Sequence, residues 1–335
     1  MKISMGGRLV GDGEPCLIIA EACENASGNV EIACAQIEQA ALAGADAVKF
    51  QTITRGELYN PSHPRYADRA IVEMPLSDYP RMVDTAKANN LIFFSTPFDE
   101  RSADFLEELG VPFFKIGSGE LTHHALLRHV AKKGKPMIIS TGAAELEQID
   151  DAIKVVKDAG NDQIIVAHCV SIYPAPVELA NVRAVPALRE RLGLLVGYSD
   201  HTETISAPMT AVALGACLVE KHFTLSRALP HGDNDMSLEP KEFKSMVQGI
   251  RDVEAALGTG QRSLLPEERP LVEAARRGIY AREQISSGQI LEPAMLAVRR
   301  PHSEIPANQI DQVVGRRAKI DIAAEDELRW EYLDD

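Results

Sequence analysis

Short apolar segments alternate with amphipathic segments along the first 257 residues. Eight apolar runs predict strands that are buried on both faces, as in a parallel sheet. These runs are 16–20, 47–50, 91–95, 113–116, 136–140, 164–168, 194–198 and 217–222. Between them, apolar residues recur at helical spacing near 30–43, 78–89, 99–109, 122–133, 145–159, 182–191, 203–214 and 240–257. The pattern therefore predicts eight successive strand–helix units.

Eight alternating units indicate an α/β fold, a (β/α)₈ TIM barrel over residues 1–257. Asp99, Thr122 and Glu145 stand where three of the helices would begin. A doubly wound open sheet is the alternative architecture. The barrel is favoured because no glycine-rich dinucleotide-binding turn follows the first predicted strand.

The pattern changes after residue 257. Residues 258–275 are predicted to form a linker. Short β-type runs then follow at 278–281, 297–298, 318–322 and 328–332, separated by glycine and proline. We therefore expect a small, mostly β domain at 276–335. Since a domain of this size buries little apolar surface by itself, we expect it to dock on a barrel.

Composition narrows the class of protein. Hydrophobic residues make up 45% of the 335 residues and charged residues 25%, as in ordinary globular proteins. The formal net charge of −14 argues against a nucleic-acid-binding surface. Five cysteines without metal-type spacing favour a reducing, cytoplasmic setting. No apolar stretch is long enough to predict a membrane span.

Polar side chains stand at the carboxyl end of every predicted strand. They are Glu21, Lys49, Gln51, Ser95, Thr96, Lys115, Ser118, Ser140, Thr141, His168, Ser171, Ser199, Asp200, His201, Glu220, Lys221 and His222. Active sites of TIM barrels lie at this end of the strands. The sequence therefore predicts one polar, charged pocket.

Lys49 and Lys115 lie inside apolar runs, where an ammonium group is costly to bury without an anion. Together with Thr96, Ser118 and Ser140 they would bind a phosphate and a carboxylate well. Two alternatives remain open at this point: each lysine pairs with a barrel glutamate, or one lysine forms a Schiff base.

His201 and His222 end neighbouring predicted strands, so each could offer one imidazole to a divalent cation. Asp200 and Glu21 are available as further ligands. Tyr173 is either a packing residue of its loop or a wall of the substrate site.

These segments resemble the sialic acid synthase (nonulosonic acid synthase) family in that family's order. The matching segments are 19–28, 43–51 (AGADAVKFQ), 94–98 (FSTPF), 115–121 (KIGSGEL), 140–142, 168–176, 197–202 (GYSDHT) and 220–225 (EKHFTL). Residues 276–335 resemble that family's antifreeze-like (SAF) domain. The resemblance covers nearly the whole chain.

The resemblance implies a condensation of phosphoenolpyruvate (PEP) with an amino-sugar aldehyde, which yields a nine-carbon keto acid and phosphate. It implies Glu21, Lys49 and Lys115 as catalytic residues. The implied PEP-binding residues are Lys49, Thr96, Lys115, Ser118, Ser140 and Ser199. The implied sugar contacts are Gln51, Glu120, Tyr173, Asp233 and Arg300. His201 and His222 are the implied ligands of Mn²⁺ or Mg²⁺.

The resemblance also implies a homodimer that exchanges its C-terminal domains, with Arg300 reaching the partner's barrel. The chain departs from the family pattern at Ala26, Ser171, Ser226 and Asn234. We expect these changes to surround the sugar and to indicate a nonstandard acceptor. The remaining alternatives are a shorter-chain keto-sugar acid synthase, which lacks the C-terminal domain, a Schiff-base pyruvate aldolase, and a non-catalytic sugar-binding protein.

Overall fold

The eight apolar runs of the sequence form eight parallel strands of one sheet. The computed structural model describes residues 1–334 except the side chain of Asp68; Asp335, the last residue of the predicted C-terminal domain, lies outside the described residues. The strands are β3 (Leu17–Cys23), β4 (Ala47–Thr52), β5 (Ile92–Pro97), β6 (Phe114–Ile116), β7 (Met137–Ser140), β8 (Ile164–Cys169), β9 (Leu195–Asp200) and β10 (Leu218–His222). Most begin about one residue after the predicted start and several continue through the polar residues beyond the predicted end.

The sheet has the strand order β5-β4-β3-β10-β9-β8-β7-β6, and β5 and β6 lie side by side. The sheet is therefore closed, and the predicted TIM barrel is confirmed. Nearly every residue of these strands is buried, because helices cover the outer face and side chains fill the interior.

The helices of the first unit are α1 (Val30–Leu42), α2 (Arg55–Leu58), α3 (Arg65–Val72), α4 (Tyr79–Ala88), α5 (Glu100–Glu108), α6 (His124–Ala131), α7 (Leu146–Asp158), α8 (Ala184–Leu192), α9 (Ser206–Ala213) and α10 (Pro240–Leu257). Asp99 and Glu145 cap α5 and α7 as predicted. Helix α6 is capped by His123 rather than Thr122. The short helices α2 and α3, after β4, were not predicted, because their sequences are brief and polar.

An N-terminal hairpin, β1 (Lys2–Met5) and β2 (Arg8–Gly11), was also not predicted. Gly6 and Gly7 both have positive φ, as a two-residue hairpin turn requires. The apolar residues of the hairpin join the barrel core. Arg8 pairs with Asp46, which precedes β4, so the hairpin lies at the end of the barrel opposite the strand carboxyl ends.

The chain divides into two units, Met1–Gly258 and Thr259–Asp335. The second unit has its own apolar core, with Ile279 and Leu328 fully buried. It contains α11 (Arg269–Ala275), the antiparallel strands β11 (Gly278–Ala281) and β12 (Leu296–Arg299), and α12 (Ile310–Val313). Helix α11 lies within the segment 258–275 that we predicted to be a linker.

The β-type runs predicted at 318–322 and 328–332 are not continuous strands. They pair only through single bridges, such as Ile285 with Ile322 and Ala318 with Leu333. The chain turns after each bridge, and residues Trp330–Tyr332 form a 3-10 turn. The apolar alternation of these short runs therefore predicted that their apolar residues are buried, which is correct for Ala318 and Ile322. It did not predict whether the runs pair as strands. Within the described residues, no helix is both long and apolar enough to span a membrane.

Candidate active site

One pocket at the carboxyl ends of the barrel strands collects most of the predicted site residues. Its lining includes Glu21, Lys49, Gln51, Thr96, Lys115, Ser118, Ser140, Tyr173, Ser199, His201, Glu220 and His222. Side chains alternate along a strand, so one residue faces the barrel interior and the next faces the helices. The residues brought together lie on interior-facing positions, as Ser199 on β9 and Glu220 and His222 on β10 show.

Two lysines and two glutamates form a buried charge cluster in this pocket. The Lys49 Nζ lies 2.5 Å from Glu21 Oε2 and 3.6 Å from Glu220 Oε1. The Lys115 Nζ lies 3.2 Å from the same Glu220 oxygen. The pairing of each lysine with a barrel glutamate, which the sequence left open, is thus present in this structure. It leaves both ammonium groups facing the pocket.

Burial and the neighbouring charges shift the pKa values of three residues of this cluster, Glu21, Lys49 and Glu220. Burial raises the pKa of Glu21 to about 7, although Lys49 opposes the change. Burial acts in the same direction on Glu220, but Lys115 and Lys49 outweigh it and hold the pKa of Glu220 at about 2. Burial lowers the pKa of Lys49, yet Glu21 and Glu220 more than compensate, so it lies above its usual value. The two carboxyls therefore differ: the lysines lower the pKa of Glu220, which favours its ionised form, whereas burial raises the pKa of Glu21 and favours its protonated form.

Glu220 is a site residue to which sequence reasoning assigned no role. Its Oε1 accepts hydrogen bonds from Lys115 and, at 3.3 Å, from Ser199. The available signal was its position two residues before His222 on one strand, which places both side chains on the same face. A carboxylate within an apolar strand needs a cationic partner when it is buried. The two lysines within other apolar strands were therefore the partners to expect for Glu220.

Hydroxyl groups border the two lysines. Lys49 Nζ donates to Thr96 Oγ1 at 3.0 Å, and the backbone N–H of Gly142 donates to Ser118 Oγ at 3.1 Å. A β-carbon at position 142 would lie 2.8 Å from that Ser118 oxygen, so a residue without a side chain is needed there. The predicted PEP-binding residues thus surround one end of the pocket.

Several buried polar atoms here have no hydrogen-bond partner among the described residues. In this pocket they include Ser140 Oγ, Glu220 Oε2 and His222 Nδ1; Ser171 Oγ, which is also unpaired, lines a neighbouring cavity. Burying such atoms unpaired costs about 1–3 kcal/mol each. Their concentration around one pocket indicates that a polar ligand satisfies them.

The two predicted metal ligands, His201 and His222, lie together with a ring-centroid separation of 5.4 Å. His201 Nδ1 lies 2.6 Å from the Val170 carbonyl oxygen, which leaves its other nitrogen free to coordinate. Burial lowers the pKa of both histidines, and that of His222 falls well below its usual value. Neutral imidazoles are the form that binds metals.

Asp200, which we considered as a further ligand, is not available. Its Oδ2 lies 2.6 Å from Lys221 Nζ, and its Oδ1 accepts hydrogen bonds from Tyr198 and Thr202. Asp200 and Lys221 lie on strand positions that face away from the barrel interior. The physical reason is the two-residue alternation, which places Ser199 in the pocket and its neighbour behind the strand.

A different group has the geometry of a metal site. Ligand atoms of Cys23, His222 and Asp233 all lie within 4.8 Å of one another. Asp233, predicted as a sugar contact, lies 3.5 Å from the His222 Nδ1 through its Oδ2. The unpaired imidazole nitrogen and the adjacent carboxylate fit a divalent cation. Sequence reasoning missed Cys23, whose signal was its position two residues after Glu21 on β3.

Of the other predicted sugar contacts in the first unit, Gln51 and Tyr173 line the pocket and Glu120 does not. Gln51 donates to Glu21 at 3.3 Å, and the Tyr173 ring lies over His201 with 4.1 Å between centroids, so both border the pocket. Glu120 is half-buried on the turn Ser118–Glu120 and is not among the pocket-lining residues; burial raises its pKa. Arg300 is exposed and belongs to the second unit.

The expectation that the altered positions surround the sugar stays a prediction, but the structure shows what three of them contact. Asn234 is buried, and its side chain donates to the His231 carbonyl oxygen at 2.7 Å, so it holds the loop that carries Asp233. Ala26 packs in the barrel core. Ser171 lies beside Gly142 at the pocket's edge. Of these three positions, Asn234 acts on loop packing.

Several known proteins resemble this chain over most of its length. An uncharacterized protein of Methanocaldococcus jannaschii is 39% identical over 99% of this chain and 98% of its own length. The N,N′-diacetyllegionaminic acid synthase of Legionella pneumophila is 37% identical over 97% of this chain and 96% of that protein. The N-acetylneuraminic acid synthetase structure from Leptospira borgpetersenii has a TM-score of 0.77 and 33% identity, covering 82% of this chain and 95% of that one.

Two family models match the chain. The SAF domain model matches residues 276–333, which confirms the identity predicted for the C-terminal region. The NeuB family model matches residues 36–262. With the synthases named above, this confirms the expectation of a transferase-type enzyme of the sialic-acid-synthase kind. The chain belongs to the NeuB family and carries a C-terminal SAF domain.

Proposed function

We propose that this enzyme condenses phosphoenolpyruvate with an N-acetylated amino-sugar aldehyde and releases phosphate by C–O cleavage. One observation carries the proposal: two buried lysines and two buried histidines line the same pocket. The lysines suit the anionic substrate, and the imidazoles suit a cation that binds an aldehyde oxygen. Membership of the NeuB family supports the same reaction class.

PEP carries a phosphate and a carboxylate, and both need cationic partners in a buried site. Lys49 and Lys115 supply these charges, and Thr96, Ser118, Ser140 and Ser199 supply hydroxyl donors. The unpaired Ser140 hydroxyl is placed to complete this set. Before substrate binds, Glu21 and Glu220 neutralise the lysines, so binding exchanges carboxylate partners for substrate anions at a moderate desolvation cost.

The second substrate lies beside the histidines, with Gln51 and Tyr173 as neighbours and Glu120 and Asp233 as further contacts. A divalent cation, Mn²⁺ or Mg²⁺, would be held by His201 and His222 and would supply Lewis-acid polarisation of the aldehyde. The 37% identical relative is named for N,N′-diacetyllegionaminic acid. Removing the three carbons that PEP contributes from a nine-carbon product leaves a six-carbon diacetamido sugar, which we propose as the acceptor.

The protein's groups then act in sequence. The enol carbon of PEP attacks the aldehyde carbon, and water adds to the neighbouring cationic carbon. Glu21, whose pKa is about 7, accepts the proton of that water at neutral pH. Lys49 and Lys115 stabilise the negative charge on phosphate as its bond to carbon breaks.

The test is a panel of sugar aldehydes, each incubated with PEP and Mn²⁺ while phosphate release and product mass are recorded. The panel includes N-acetylmannosamine and six-carbon diacetamido sugars. We expect the diacetamido acceptor to give the highest kcat/KM and a product mass equal to acceptor plus pyruvate. Equal turnover of N-acetylmannosamine would contradict the acceptor. Absence of phosphate release with every sugar would contradict the reaction itself.

The Schiff-base aldolase is disfavoured by the charge cluster. A Schiff base requires a neutral amine, but Lys49 and Lys115 are each paired with carboxylates, and the pKa of Lys49 is raised. Borohydride reduction in the presence of pyruvate should therefore leave both lysines unmodified. The SAF domain match likewise argues against a shorter-chain keto-sugar acid synthase.

We further propose a homodimer in which Arg300 of one subunit completes the pocket of the other. Because all five cysteines are free and buried, we also propose that the enzyme works in the cytoplasm. The dimer is tested by mixing Arg300→Ala and Lys115→Met proteins under conditions that allow subunit exchange, at a PEP concentration so low that neither protein alone turns over at a significant rate. Recovery of about a quarter of wild-type activity per active site is expected from an equimolar mixture, since about half of the dimers are mixed and each of these contains one intact pocket. No recovery from mixed dimers of confirmed composition would contradict the exchange.

A further inference from the structure

Cys23 lies at the carboxyl end of β3, directly beside the proposed cation site. Its Sγ lies 3.2 Å from Asp233 Oδ2, and the same carboxylate oxygen lies 3.5 Å from His222 Nδ1. Among the described residues, these three form the one group of histidine, cysteine and carboxylate side chains whose ligand atoms all lie within 4.8 Å of one another. Sulfur, nitrogen and oxygen donors thus converge on one point.

A second, independent observation indicates that this point binds a ligand. His222 is only 4% exposed, and its Nδ1 has no hydrogen-bond partner among the described residues. An unpaired, buried imidazole nitrogen that faces a thiol and a carboxylate is costly unless something binds between them. A cation satisfies all three groups at once.

The backbone brings the Cys23 side chain to this position. The pairing of β3 with β4 shifts register between Glu21 and Cys23, and Cys23 has a positive φ of 50°. Residues other than glycine rarely adopt this conformation, and such exceptions concentrate at functional sites. The irregular strand end places the thiol beside Asp233 rather than in line with the preceding residues.

Hydrogen bonds to the backbone of Asp233 also fix its position. Its backbone N–H donates to Asn25 Oδ1 at 2.7 Å, and its carbonyl oxygen accepts from Ser237 Oγ at 2.6 Å. Asn25 in turn donates to the Phe223 carbonyl oxygen at 3.0 Å, next to His222. Such supporting hydrogen bonds orient metal ligands and raise affinity.

We propose that the Cys23 thiolate and the Asp233 carboxylate coordinate the divalent cation at His222, in addition to the histidine coordination proposed above. The inference rests on the proposed function only for the presence of a cation at this site. The cation replaces the thiol proton, which leaves as a hydronium ion to solvent. Because thiolate is a soft ligand, the site binds Zn²⁺ and Co²⁺ more tightly than Mn²⁺, and Mg²⁺ least of all.

The test measures coordination directly, with Co²⁺ as the probe and the metal-stripped full-length protein. A Co²⁺–thiolate bond gives a charge-transfer absorption band in the near ultraviolet that oxygen and nitrogen ligands do not give. We expect this band in the wild-type protein and its loss in Cys23→Ser, with Zn²⁺ affinity weakened at least about tenfold. Cys34→Ser, which changes a buried cysteine on α1, is the matched control and should retain both properties.

Cys23→Gly is a second variant, included in case Cys23→Ser fails to fold. Glycine adopts the positive φ of this position without strain, so this variant should fold. It should fold with a circular dichroism spectrum like that of the wild type and still lack the band. If wild-type protein binds Co²⁺ without the band, or if both Cys23 variants keep wild-type Zn²⁺ affinity, the assignment is overturned. Sugar condensation could still be observed in that case. Conversely, a band that depends on Cys23 in a protein without condensing activity would overturn the proposed function alone.

Discussion

The Lys49 ammonium group lies 2.5 Å from the Glu21 carboxylate, and both side chains are almost completely buried. The two residues are register partners on the neighbouring strands β3 and β4, so the sheet itself sets their contact. In the proposed mechanism Glu21 would serve two purposes: it would neutralise Lys49 before substrate binds and accept a proton afterwards. This double role leads to the first prediction.

Replacing Glu21 with glutamine should separate these roles. We expect kcat to fall by about 100-fold or more, because general bases contribute factors of that size. The KM for PEP should stay constant or decrease, because Lys49 loses a competing carboxylate. Steady-state phosphate release at varied PEP measures both constants, and Glu38→Gln on the exposed face of α1 is the control. A wild-type kcat in Glu21→Gln would exclude Glu21 as the base.

Replacing Lys115 with methionine should weaken PEP binding. Hydrogen bonds to charged groups contribute about 1.5–3 kcal/mol, so the KM for PEP should rise by about 10- to 100-fold. Lys154→Met, at an exposed position of α7, should leave the KM unchanged. The double variant Lys115→Met/Glu220→Gln should recover thermal stability, because no buried carboxylate is left short of a partner, but it should not recover PEP affinity. Recovery of affinity would show that Lys115 acts only on Glu220.

The buried pair of Lys221 and Asp200 should be structural. Both side chains are fully buried, behind the strands rather than in the pocket. Removing one member of a buried ion pair typically costs about 3–5 kcal/mol, so Lys221→Met should lower the urea midpoint markedly. Circular dichroism during urea titration measures this, and Lys221→Met/Asp200→Asn should lose less stability than the single variant. A full-strength kcat in the folded Lys221→Met protein is expected; a specific loss of kcat would contradict a structural role.

Glu242 should stabilise the barrel in a pH-dependent way. Its carboxylate pairs with Arg227 at 2.7 and 3.0 Å and helps cap α10. Burial opposes ionisation, but the Arg227 hydrogen bonds outweigh it and lower the pKa of Glu242. A lowered folded-state pKa contributes stability above the unfolded-state value of about 4.3, and this is lost as pH falls through the folded-state pKa.

Glu242→Gln should therefore reduce the free energy of unfolding at pH 7 by roughly 0.5–1 kcal/mol, the range of partly exposed ion pairs. Glutamine preserves the cap hydrogen bond, so the change isolates the charge. Urea titrations at pH 7 and at a series of pH values below the unfolded-state pKa of about 4.3 should show the difference between variant and wild type shrink as the pH falls. An equal difference at all values would mean that packing, not charge, is responsible.

The chain's pattern predicted the barrel because each strand of this fold is a short apolar run with a helix on either side. Lys49 and Lys115 could be predicted as site residues since a charge within such a run must meet a partner. The same reasoning did not reveal which partner, so Glu220 was predicted only as one of the polar residues at the strand ends. Its identity depends on which strands become neighbours: β10 lies far along the chain from β4 and β6, yet its side chains reach theirs inside the barrel.

The difference between Ser199 and Asp200 shows what local pattern can and cannot decide. Both are polar residues at the end of one strand, and only the direction of each side chain relative to the closed sheet separates a pocket residue from a structural ion pair. The position of Cys23 depends even more on the tertiary structure. An irregular strand pairing and a positive φ bring its thiol to Asp233, which is more than two hundred residues away in the sequence. By itself, the sequence determined the number and order of strand–helix units and the polar character of their ends, since these follow from local periodicity. Only the tertiary structure decided which charges pair and which donors converge, since those depend on register, bulges and loop paths that bring distant residues together.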